Sequence, residues 1–165
     1  MAEYKLSEKL LRSIADYIDK NYEDISEKCI AAEMLCPCAP RATMSLEDML
    51  KQADAGFTER LLELIDKTGK KDSEVYKKAN ISKQHFSKIR NNPDYKPTKP
   101  TAIALALALE LDLEDTKDLL ERAGYALTNS SKFDLVIRYF IEQGNYDLIE
   151  INMALYEFDQ PLLGG

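Results

Sequence analysis

DSEVYKKANISKQHFSKIRN, residues 72–91, is the stretch on which the fold turns. Val75, Ala79, Ile81, Phe86 and Ile89 recur at helical spacing on either side of Asn80, with cations and amides between them. The pattern predicts two short helices joined by a tight turn at Asn80-Ile81. Asp72 or Ser73 is the expected cap of the first helix and Ser82 of the second, because a short oxygen-bearing side chain satisfies the unpaired N–H groups of a first helical turn. Lys77, Lys78, Lys83, Gln84, Ser87, Lys88 and Arg90 are expected to face outward. Such a face is either the solvated side of a helical bundle or the exposed helix of a helix-turn-helix, shaped to enter a DNA major groove.

Charge distribution bears on that choice. The 165-residue chain is acidic, with a formal net charge of −7. Residues 67–99 run the other way, holding ten Lys and Arg against three Asp and Glu, a net of +7. Residues 1–66 carry a net of −6 and residues 100–165 a net of −8. The basic segment of an acidic chain therefore contains the helix pair, and phosphate attraction is the main source of affinity for DNA.

The flanking sequence reads as helix throughout. Residues 7–20 place Leu10, Leu11, Ile14, Tyr17 and Ile18 on a narrow apolar stripe behind Ser7, suited to a core, a dimer contact or a protein partner. Cys36-Pro37-Cys38-Ala39-Pro40-Arg41 breaks regular structure, since each proline disfavours helix at the residue before it. The expected organisation is an N-terminal helical arm at 1–33, a linker at 34–44 and a helical domain at 45–165. Within that domain a helix over 45–56 precedes one over 58–68, with Leu61, Leu62, Leu64 and Ile65 inward and Gly69 as its stop. TAIALALALEL, residues 101–111, alternates leucine with alanine in a way that mimics a strand. Alanine is the best helix former and a poor strand former, so the stretch is expected to be a helix buried nearly all round. Helices over 112–122, 132–143 and 146–158 follow, with Ser130 or Ser131 capping the second and Gly124 and Gly144 as stops. Gln160 to Gly165 is expected to be a flexible tail. The fold class is all-α.

Catalytic signals are absent from the sequence: one histidine, no glycine-rich phosphate loop and no Gly-x-Ser-x-Gly or His-Glu-x-x-His. The expectation is a protein that is not an enzyme. Cys29, Cys36 and Cys38 lack the spacing and the second ligand pair of a zinc site, so no metal or cofactor is expected. No apolar run reaches the roughly 18 residues of a membrane span, and no secretory signal opens the chain, so the expected location is cytoplasmic.

At residues 58–120 the helix order resembles the lambda-repressor-like (Cro/phage repressor, XRE-type) DNA-binding domain of bacteria. The residues carrying the resemblance are Ser73-Glu74-Val75, Ile81-Ser82, Phe86 and Ile89, followed by the helices Thr101–Leu111 and Leu113–Leu120. The resemblance implies base contacts from Lys83, Gln84 and Lys88, since glutamine bonds adenine bidentately and lysine bonds guanine O6 and N7. It implies phosphate contacts from Ser73, Ser82, Ser87, Arg90, Asn91 and Lys96. The chain departs from the family at Tyr76, where a small residue is usual, at Asn80, where glycine is usual, and in a longer loop holding three prolines. Residues 57–163 also resemble a module of Gram-positive bacterial proteins that ends in the same Phe-Asp-Gln-Pro-Leu-Leu-Gly, which implies no particular activity.

The expected function is sequence-specific binding of double-stranded DNA by a homodimeric transcriptional regulator. The alternative is a non-enzymatic adaptor that keeps the repressor-like fold and binds protein, with residues 1–40 as a partner segment.

Overall fold

A computed structural model describes residues 6–23 and 56–164. The expected helix at 45–56, the linker at 34–44 and all three cysteines lie outside them. The described residues form eight helices and no strand: α1 (Glu8–Asn21), α2 (Phe57–Thr68), α3 (Asp72–Lys78), α4 (Lys83–Asn91), α5 (Lys99–Ala108), α6 (Leu113–Arg122), α7 (Lys132–Glu142) and α8 (Leu148–Glu157). The protein is all-α, as the periodicity required.

The core is built on α5. Every residue from Thr101 to Ala108 is buried, so the Leu–Ala alternation records burial on all sides and not a pleated strand. Pro100 sits in the first turn, where its missing N–H costs nothing. α6 and α3 pack against α5, α6 and α4 against α2, and α7 joins α6 to α8. Gly69 ends α2 at φ 66°, the left-handed conformation glycine adopts without strain.

α1 docks on α7. Ile14 and Ile18 are buried there, Tyr17 stacks edge-on against Tyr139 at 5.3 Å, and its hydroxyl donates to Glu142 Oε2 at 2.8 Å. The apolar face considered for a partner is thus occupied from within the chain.

Two buried polar anchors hold distant segments together. Asp134, 1% exposed, receives Lys99 Nζ at 2.7 and 2.8 Å from its two carboxylate oxygens. Its Oδ2 also accepts from the Thr128 N–H and hydroxyl, both at 3.0 Å. A buried carboxylate survives only with such partners. Thr58, 3% exposed, directs its hydroxyl at the carbonyls of Ile89 and Asn92, each 3.1 Å away. The start of α2 is thereby tied to the end of α4.

The C-terminal segment corrects an expectation. Leu163 is 2% exposed, and Gln160 to Gly164 is a docked segment rather than a flexible tail. A single large apolar side chain with a pocket waiting for it outweighs the glycines beside it.

Candidate nucleic-acid interface

α3 and α4 are joined through Ala79 to Ser82. Asn80 adopts φ 53°, a conformation its short amide tolerates and a β-branched residue would not. The turn is closed by the Ile81 N–H bonding the Tyr76 carbonyl at 2.9 Å. Ser82 caps α4 as expected, its Oγ accepting from the His85 N–H at 3.2 Å. Neither Asp72 nor Ser73 caps α3. Lys71 holds the capping position, and Glu74 reaches back to accept its N–H at 3.1 Å. The glutamate three residues into the helix does the work that the sequence suggested for a serine or aspartate ahead of it. Tyr76, the bulky departure, lies against Phe86 with ring centroids 5.9 Å apart. The α3–α4 contact is aromatic where the resembled family packs a small residue.

All five residues expected to face inward are buried: Val75, Ala79, Ile81, Phe86 and Ile89. α4 packs chiefly on α2 and α3. Its outer face stays exposed and carries Lys83, Gln84, Ser87, Lys88 and Asn91. At 100° per residue these five span an arc of roughly 140°, with the amides and hydroxyl of Gln84, Ser87 and Asn91 in the middle and a lysine at each edge. Asn91 Nδ2 donates to Ser87 Oγ at 3.1 Å. α4 is nine residues, about 13 Å, long, and an α-helix about 10–12 Å in diameter fits a major groove about 12 Å wide.

Five of the basic segment's ten cations pair with carboxylates. Lys67 faces Asp115 at 3.6 Å and Lys70 faces Glu110 at 3.3 Å. Lys78 also pairs with Glu110, Arg90 with Asp72, and Lys99 with Asp134. The Lys78 ammonium, then Lys70, holds the Glu110 carboxyl below its ordinary range. The remaining cations, Lys71, Lys77, Lys83, Lys88 and Lys96, are exposed and pair with no carboxylate among the described residues. Two of them edge the outer face of α4.

The expected phosphate contacts fall into two groups. Ser73, Ser87, Asn91 and Lys96 are exposed, and Ser82 is exposed while it caps α4. Arg90 is half-exposed and committed to Asp72, which ties the end of α4 to the start of α3. Sequence reasoning passed over Tyr95. Its hydroxyl lies 2.9 Å from His85 Nε2, with the rings edge to face. This contact fastens the loop that carries Lys96 against α4, and an aromatic ten residues beyond the only histidine was the one trace of it in the sequence. Tyr95 also lines an open groove with Ser87, Lys88, Asn91 and Asn92.

Among the described residues no group of histidine, cysteine and carboxylates is placed to hold a metal ion. No helix among them is long and apolar enough to cross a membrane. Comparison with protein-family models, with curated proteins and with solved structures returns no match to this chain.

Proposed function

We propose that the chain binds double-stranded DNA sequence-specifically through the outer face of α4, as a homodimeric transcriptional regulator. The observation that carries this reading is the pairing pattern on the surface. Of the ten cations at residues 67–99, five lysines between residues 71 and 96 have no carboxylate partner among the described residues. Lys83 and Lys88 among them border an amide-bearing helix face sized for a groove. Gln84 and Asn91 have the donor and acceptor pair that reads adenine, and the lysines suit guanine. Lys71, Lys77 and Lys96 lie on neighbouring segments and supply phosphate neutralisation. A single such helix reads only a half-site, and two-fold pairing supplies the second.

Selection from a random duplex pool tests it. A preferred sequence is expected, bound with a log–log salt slope of about −3 to −5, the value for roughly three to five phosphate contacts. Lys83→Ala and Gln84→Ala each cost about 1–3 kcal/mol and relax the preference. A pool that enriches nothing, with low-salt binding indifferent to Lys83→Glu, sinks the reading. One observation favours the adaptor alternative. Ile149 and Tyr156, 64% and 73% exposed, stand on one side of α8, an apolar crest suited to protein contact. For an adaptor, Ile149→Glu abolishes partner binding while Lys83→Glu does not.

A further inference from the structure

The docked C-terminal segment ends on the turn that launches α4. Phe158 closes α8, Asp159 takes φ 53° and the chain doubles back. The Asn152 amide then holds one residue by both its backbone N–H and its carbonyl. Its Oδ1 accepts the Leu163 N–H at 2.7 Å, and its Nδ2 donates to the Leu163 carbonyl at 3.1 Å. With the Leu163 side chain buried, the next residue is delivered to a fixed place. That residue is Gly164, at φ 85°, and it lies on Asn80. A Cβ at position 164 would stand 3.0 Å from Asn80 Cβ, 3.1 Å from Nδ2 and 3.2 Å from the Asn80 carbonyl oxygen. Two features therefore demand glycine: the left-handed φ and the absence of room above the turn.

We infer that this segment is a strut for α4, with Asn152 and Gly164 as positioning residues. Asn80 is the left-handed hinge of the α3–α4 turn, and Ser82, two residues on, caps α4. A support that fixes Asn80 fixes the direction in which α4 leaves the turn. α8 is thereby linked, through one amide and one glycine, to the helix proposed to read DNA. A reading face must be held by its neighbours to within a fraction of an ångström. The inference rests on the DNA reading for its purpose, but its geometry is tested without DNA.

The test uses Gly164→Ala in the full chain. Asn152→Asp is the second variant, keeping the acceptor for the Leu163 N–H while losing the donor to its carbonyl. Amide exchange is followed at Ile81, whose N–H closes the turn, and affinity is measured for a selected duplex of about 30 base pairs, roughly three helical turns. Each variant is expected to speed Ile81 exchange about tenfold through local opening, with the α5 amides unchanged. Affinity should fall several-fold at an unaltered salt slope, because no phosphate-binding cation has been touched. Unchanged Ile81 exchange overturns the strut. So does faster exchange with undiminished affinity, which would leave the segment a mere cover. If the native chain binds no selected duplex, the DNA reading falls by itself, and the exchange measurement alone decides whether the strut exists.

Discussion

Thr58 shows how much a single hydroxyl can decide. One O–H, itself buried, is shared between two carbonyls at the end of α4, 31 and 34 residues along the chain. Thr58→Val keeps the shape and leaves both carbonyls without that donor. The expected cost is about 1–3 kcal/mol in chemical denaturation, the range for a buried polar group deprived of its partner. Thr58→Ser, which restores the donor, should recover most of it. Nothing in the local sequence announces this role. A threonine in a first helical turn reads as a cap or a solvated side chain, and only the arrival of Ile89 and Asn92 makes it an anchor. Lys99 and Asp134 were illegible for the same reason. Each is unremarkable among its chain neighbours, and their ion pair exists because α5 and α7 meet.

At the scale of the element, legibility was high where one helix face or one capping residue carried the information. α5 was readable because alanine settles the choice between strand and helix whatever its surroundings. The inward and outward sets of α3 and α4 were readable because five apolar positions left a single solution. The cap of α3 was misread because Glu74, acting backward, competed with two better-known capping types ahead of it. α1 gives a prediction that belongs to its own docking. Burial, together with the hydrogen bond to Glu142, pushes the Tyr17 hydroxyl up to about 12 from an ordinary 10.0. A raised value in the folded state means the contribution is fully present below pH 10 and is lost as pH climbs toward 12. α1 should therefore release from α7 in that alkaline window ahead of the remaining helices, seen as loss of protection at Ile14 and Ile18. Tyr17→Phe should remove this pH dependence, and an unchanged alkaline transition in that variant would refute the assignment.

The molecule as a whole is a polarised object. Acidic residues dominate both flanks of the chain, and the basic segment between them keeps five of its ten cations free of carboxylate partners among the described residues. The candidate site was legible at this scale from charge counting, but its sharper form was not. Which five of ten cations remain free depends on the side-chain pairs formed across the fold, and charge totals are blind to them. Internal pairing engages Arg90, a residue the family resemblance singled out, and leaves Lys71 and Lys77 unpaired, which that resemblance did not single out. The C-terminal glycines were opaque for a related reason: Gly164 is needed for what Asn80 does, and the two are joined only by the fold.

That polarity has a kinetic consequence. An acidic chain that gathers a net +7 into residues 67–99 draws a polyanion chiefly toward that segment and repels it from the acidic flanks. Encounters presenting a wrong face are turned away before contact, so orientation is sorted during approach. For a DNA partner the salt sensitivity should then reside mainly in the association rate. Stopped-flow measurements at rising ionic strength should show the on-rate falling by about two orders of magnitude between 50 and 200 mM salt, with the dissociation rate changing far less. The acid on the flanks thus acts as a guide rather than as a counterweight, and a variant with those flanks neutralised should collide with DNA more often and productively less often.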